Sequence, residues 1–225
     1  MLEMLNRRAS LIVILVLLVP YYQTYGQRSI SKGPESTYFG YYKPREPTSL
    51  NELPDAIRRR VEEHLKARLG DEFYSKLRLS GGQIVDFSEL YRVEPEARNY
   101  KWKIFAYSLN FLLAEPKKGI KAYHARILLD SDGNTLQEVD LPWIAMHPEK
   151  ASIISLGEAR RIAAKHKFPL SRSNVEISYN TERDSLVWTL EYKLKGSRYS
   201  WVDRIIRINA HSGEVISIGN AERSY

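Results

Sequence analysis

The sequence predicts an α+β protein of two tandem units, each a single helix packed on a small antiparallel sheet. Three observations carry this expectation. A serine-opened helical stripe occurs twice, a run of alternating strands follows each stripe, and each run closes on a polar hairpin containing glycine. The expected division is an export segment at 1–26, a linker at 27–48, a first unit at 49–148 and a second at 149–225.

The export segment comes first. Arg7 and Arg8 supply a positive start, and residues 11–19 are an unbroken apolar run. Pro20 breaks that run, and Thr24 and Gly26 offer small residues at the −3 and −1 sites of a cleavage before Gln27. The run falls short of the roughly 20 residues that a membrane-spanning helix needs, so no integral span is expected after processing. The chain has no cysteine. Disulfides, thiolate metal sites, thiol nucleophiles and a lipidated cysteine behind the signal are thereby excluded. Cohesion must come from the core, and 43% hydrophobic and 11% aromatic residues are ample for one.

Residues 27–48 read as a tether punctuated by Gly33-Pro34, Gly40, Pro44 and Pro47, with Tyr38, Tyr41 and Tyr42 expected to touch the folded part. Ser49-Leu50-Asn51-Glu52 has the S-x-x-E form of a capping box, and Pro54 suits a first helical turn. Leu53, Ile57, Val61, Leu65 and Leu69 then form one apolar stripe, closed by Gly70 as a left-handed cap. Strands are expected at 83–93, 101–113 and 123–129. Asp132-Gly133 turns the chain into another at 135–139, since a tight hairpin needs the positive φ that glycine supplies.

The second unit repeats this grammar. Ser155-Leu156-Gly157-Glu158 opens a helix with Leu156, Ala159, Ile162, Ala163 and His166 on one side, stopped before Pro169. Val175, Ile177 and Tyr179 alternate in one strand. Leu186, Trp188, Leu190, Tyr192 and Leu194 form the inward face of the next, with Val187, Thr189, Glu191 and Lys193 facing away. A strand at 201–209 runs through Ser212-Gly213 into a last one at 214–218. Arg126–Gly133 and Ile206–Gly213 match as strand-plus-hairpin segments, the mark of a diverged duplication rather than a solenoid.

Ser155-Leu-Gly-Glu-Ala159 and Asn209-Ala-His-Ser-Gly-Glu-Val215 resemble the helix start and hairpin of the PepSY domain family. Asn209 and Ser212 stand where that family often has Asp and Thr, and both preserve polar turn chemistry. The resemblance covers roughly 152–219, and 49–140 is similar to a more diverged copy. It implies an extracytoplasmic protein that binds or restrains peptidases. It brings no catalytic residue, and the residues themselves lead to no expected cofactor or metal.

Residues that could carry chemistry have plainer readings. His64 lacks a second histidine at i+4, so the zinc-protease helix motif is absent, and His124, His147, His166 and His211 fall on separate elements. Asp130, Asp132 and Asn134 have the first spacings of a calcium loop, but Thr135 and Leu141 stand where that loop needs Gly and Glu. A hairpin turn accounts for them. Glu94 and Glu96 flank Pro95 as solvated charge. No G-x-S-x-G elbow or phosphate-cradling glycine loop occurs. Arg58, Arg59 and Arg60 splay round a helix rather than forming a patch, and Lys117, Lys118 and Lys121 cluster at a hairpin.

The expectation is therefore an exported, non-catalytic binding protein for a protein or peptide partner, with nucleic acid excluded as a partner by export. A structural envelope protein held to anionic surfaces by its net charge of +7 is the second reading, and an enzyme the third.

Overall fold

A computed structural model describes residues 41–196 and 200–224. The expected export segment and residues 27–40 of the expected linker lie outside the described residues. The order is helix α1 (Asp55–Tyr74), strand β1 (Leu77–Ile84), helix α2 (Phe87–Val93), β2 (Tyr107–Glu115), β3 (Ile120–Leu129) and β4 (Thr135–Gln137). Helix α3 (Leu156–Lys165) and strands β5 (Asn174–Asn180), β6 (Ser185–Gly196), β7 (Ser200–Asn209) and β8 (Val215–Ser224) follow. Each unit holds a four-stranded antiparallel meander, ordered β1-β2-β3-β4 and β5-β6-β7-β8. The chain is α+β with two repeated units.

In the first unit Ser49 Oγ accepts the Asn51 N–H at 3.2 Å while the Glu52 carboxylate accepts the Ser49 N–H at 3.1 Å. That box caps a short 3-10 turn at Leu50–Glu52, and Pro54 then resets the chain so that α1 starts at Asp55. Ile57, Val61, Leu65 and Leu69 bury their stripe against Leu109, Phe111, Leu113, Ala125 and Ile127 of the sheet. Each such side chain contributes about 1.5–3 kcal/mol relative to an exposed one. Gly70 takes the expected positive φ (73°), but as a kink, and the helix runs one further turn to Tyr74.

In the second unit Ser155 Oγ accepts the Glu158 N–H at 3.1 Å. Only half of the expected reciprocal box forms, because Arg161 holds the Glu158 carboxylate. Ala159 and Ala163 let α3 lie close on Trp188, Leu190, Ile206 and Ile208. Trp188 is fully buried, and its Nε1–H donates to the Ile154 carbonyl at 3.1 Å.

The two hairpins are built alike. Asp130 Oδ1 accepts the N–H groups of Asp132 and Asn134, and Asn209 Oδ1 those of His211 and Ser212. Each turn ends in a left-handed glycine lying on its unit's helix. A Cβ on Gly133 would stand 3.0 Å from Ile57 Cδ1, and one on Gly213 3.1 Å from Ile162 Cδ1.

Three expectations are corrected, the first being the strand at 101–113, which starts only at Tyr107. Residues 83–93 are not one strand: β1 ends at Ile84, Asp86 caps α2 by accepting the Ser88 and Glu89 N–H groups, and 87–93 are helical. The outward face of β6 is not solvated throughout, since Val187 and Thr189 are buried with Ile205 on the side away from α3.

The units share one continuous core. Their polar joint centres on buried Arg68, whose Nε and Nη2 donate to the Leu141 carbonyl at 3.0 and 2.8 Å. Asp184 of the second unit gathers the Trp143 N–H, Lys150 Nζ and the Tyr179 hydroxyl.

Candidate functional site

Among the described residues, an open sheet edge in the second unit and an aromatic cleft in the first are the features that the fold itself does not use.

The four outer strands differ as edges. Backbone bonds with Arg45, at 3.0 and 2.7 Å, cover β1 at Ile84, and a bulge at Leu79/Gly81 distorts it further. Strand β4 spans three residues and β5 seven. Strand β8 spans ten, pairs with β7 along one side, and has no partner strand on its other side among the described residues. Regular register runs from Ser217 to Ser224. Ile218 faces the α3 side beyond the cover of that helix and is 41% exposed. Ser217, Gly219 and Ala221 give the opposite side a low profile. Arg223 anchors the far end, donating to Glu191 at 3.0 Å and lying 3.7 Å from Asp203. Asp203 in turn accepts Trp201 Nε1–H at 2.9 Å.

The cleft belongs to residues 85–106, which join β1 to β2. In the second unit residues 181–184 make the corresponding connection. The insertion carries its own small core of Val85, Leu90, Ala97 and Phe105, completed by Tyr42. A cleft of about 360 Å³ opens beside it, walled by Phe87, Tyr91, Arg98, Tyr100, Trp102 and Lys103. The Tyr100 and Trp102 rings stack at 4.6 Å, Phe87 and Tyr91 meet tilted at 5.7 Å, and the Arg98 guanidinium lies 5.1 Å from the Tyr91 ring centre. Trp102 is 53% exposed. Buried Asp130 closes one end. Its contact with Lys103 Nζ at 2.7 Å, aided by the Asn134 amide and the turn N–H groups, holds its carboxyl well below the usual range.

The residues singled out in the sequence do not converge. In the aspartate cluster, Lys103 Nζ stands on Asp130 where a calcium ion would have its first ligand. His64 meets Glu138 at 2.9 Å, His124 contacts Ser80, His147 lies near Glu149 and His166 ends α3. His211 is built into the fold. Its Nε2 accepts the Leu186 N–H at 3.0 Å, so Nδ1 carries the proton donated to the Ser152 carbonyl. Burial, foremost, lowers its pKa. No cluster of three or more metal-ligating side chains occurs among the described residues.

Glu94 corrects the solvated reading. It is buried, and its Oε1 accepts the Tyr41 and Tyr42 N–H groups at 2.7 and 3.0 Å, tying residues 41–42 of the expected linker to the first unit. Glu96 stays exposed. Arg58 pairs with Asp55, Arg59 is exposed, and Arg60 reaches the Asp132 carbonyl at 2.7 Å, so the three do diverge. Lys117 and Lys118 form the turn ending at Gly119, which abuts Leu156 of α3.

Sequence reasoning missed one carboxylate pair. Glu176 and Glu191 lie on the same face of adjacent strands, and burial, then the charge of Glu191, raises the Glu176 pKa. Arg223 holds Glu191, and period-two alternation on β6 was the signal that placed it. Among the described residues no helix is long and apolar enough to cross a membrane.

Comparison with known proteins finds no family, no curated protein and no solved structure that matches this chain.

Proposed function

We propose that this chain is an exported, non-catalytic binding protein of PepSY type, which binds or restrains a peptidase or another envelope protein. Its second unit takes an extended segment of that partner as an added strand along β8. The long open edge of β8 is the observation that carries the reading. An edge strand presents a row of backbone N–H and C=O groups, and proteins usually shorten, cover or distort such edges. Here β1 is bulged and bridged, β4 spans three residues and β5 seven, whereas β8 spans ten and runs regularly through its outer half. An added strand draws affinity from main-chain hydrogen bonds and selectivity from alternate side chains. Ile218 would contact one row of those side chains, and the small residues on the other face leave room for the second.

The test is capture by the immobilised protein from the native secretome, washed at rising salt. Adjacent residues of a strand direct their N–H groups to opposite edges, so of Gly219→Pro and Asn220→Pro one variant disturbs pairing with β7 and the other blocks only the outer edge. The variant that keeps its thermal midpoint should lose the partner. A protease retained at high salt, slowed by the free protein and released by that variant is the expected result. Elution of everything at moderate salt would favour attachment to anionic surfaces instead, since screening shortens to about 3 Å at 1 M.

A further inference from the structure

We propose that the aromatic cleft of the first unit is a second binding site, and that its ligand is an acidic peptide segment presenting a carboxylate beside an apolar side chain. The site lies on the other unit from β8 and does not depend on strand addition.

The first observation is the insertion itself. Both units complete a four-stranded meander, and the second makes the same connection with residues 181–184 alone. Closing the sheet therefore does not require residues 85–106. A hairpin connection usually takes about 2–5 residues, so this one, with helix α2 and a core of its own, goes far beyond what the turn needs. This one spends its aromatic residues unevenly: Phe105 is buried in the local core, while Phe87, Tyr91, Tyr100 and Trp102 line the opening.

The second observation is the charge balance. The one carboxylate on the lining among the described residues, Asp130, is neutralised by Lys103 and by the N–H groups of its own turn. Arg98 is exposed and has no carboxylate within 4.0 Å among the described residues. Its position over Tyr91 orients the guanidinium without a counter-ion, leaving planar donors for an incoming carboxylate. An anion gains there, and a cation is repelled.

The third observation selects a peptide side chain over a sugar ring. Arg98 covers one face of Tyr91 and Tyr100 covers one face of Trp102, while Phe87 and Tyr91 tilt by 33°. These tilted walls enclose a side chain more readily than they offer a flat platform. At about 360 Å³ the cleft is at the small end of ligand pockets, which suits a short segment. Tyr, Trp and Arg are also the residue types in which binding energy concentrates at protein interfaces.

Fluorescence anisotropy with a labelled Glu-Phe-Glu-Phe-Glu peptide tests the proposal, alongside its lysine-for-glutamate counterpart and an oligogalacturonate. The acidic peptide should bind saturably and the lysine peptide should not. Arg98→Gln, on an exposed residue, should weaken binding about tenfold, the loss of one charge-assisted contact. Arg98→Lys should recover part of it, and Trp102→Ala should weaken it at least as much as Arg98→Gln. The proline variant that blocks β8 should bind the peptide normally, which separates this site from the strand-addition reading. Equal binding of the lysine peptide, preference for the oligogalacturonate, or unchanged affinity in Arg98→Gln with its thermal midpoint intact would overturn the proposal.

Discussion

Arg68 of α1 and Asp184 of the β5–β6 turn lie 3.5 Å apart across the joint between the two units. Arg68 also donates twice to the Leu141 carbonyl, and Asp184 also holds Lys150, Tyr179 and the Trp143 N–H. Burial, then the bond to Asp184, pushes the Tyr179 pKa up to about 12, so its hydroxyl remains a donor throughout the physiological range. Arg68→Ala leaves a buried carbonyl unsatisfied while Asp184 keeps its lysine. It should cost about 2–3 kcal/mol in urea unfolding. Arg68→Met, which restores the packing volume, should recover part of that loss.

Trp188 and Lys193 measure the two sides of β6. Trp188→Ala empties a fully buried site and removes the donor to the Ile154 carbonyl, so a loss of about 3–5 kcal/mol is expected. Lys193 is exposed and lies 4.9 Å from the centre of the Trp201 ring. Lys193→Ala should therefore change stability by no more than about 1 kcal/mol. Equal denaturation midpoints for the two variants would contradict this assignment of faces.

How much of this was legible depends on which residues enforced it. The Leu53–Leu69 stripe, the alternation from Leu186 to Leu190 and the two glycine hairpins each have one cheap solution, and the chain adopts it, whereas Leu194, expected on the same face as Leu190, is exposed beyond a register shift at Lys193/Lys195. The segment after α1 was ambiguous because Val85, Phe87, Tyr91 and Val93 favour strands, while Asp86 and Glu89 carry a helix-start signature. The cap won, and the neighbouring strand formed earlier, through Gly81 and Gly82, where propensity argues against one. Strand β8 outran its expected end at 218 because β7 supplies pairing partners as far as Ser200, overriding the weak preferences of Gly219 and Asn220. The cleft could not be read in advance. It depends on Arg98 and Trp102 meeting rings that only the folded insertion brings together. Asp184 likewise gave no local sign of its role at the joint.

Ser185 Oγ is buried with no hydrogen-bond partner among the described residues. A hydroxyl in that position loses its hydration without compensation, commonly at a cost of about 1–3 kcal/mol. Ser185→Ala removes the oxygen and leaves little void. The variant should unfold at a higher denaturant concentration, by about 1 kcal/mol. A lower midpoint would mean that the hydroxyl has a partner, such as an ordered water.

His211 sets a pH dependence whose sign follows from its two hydrogen bonds. Nε2 accepts from Leu186 and Nδ1–H donates to Ser152, so the folded chain requires the neutral ring, and protonation must break the bond to Leu186. Burial, the largest cause, depresses the folded-state pKa below the ordinary value of about 6.5, which the unfolded chain retains. Between those two values the unfolded state binds the extra proton. Stability from this residue is thus fully present above about pH 6.5, and it falls as acid drives the pH toward the folded-state pKa. One proton gives a slope of at most about 1.4 kcal/mol per pH unit. Urea unfolding from pH 8 to pH 5 should show wild-type stability declining below pH 6.5. His211→Asn should be less stable at pH 8 and flatter across the same range. If the two proteins lose stability in parallel between pH 7 and pH 5, the acid sensitivity originates elsewhere.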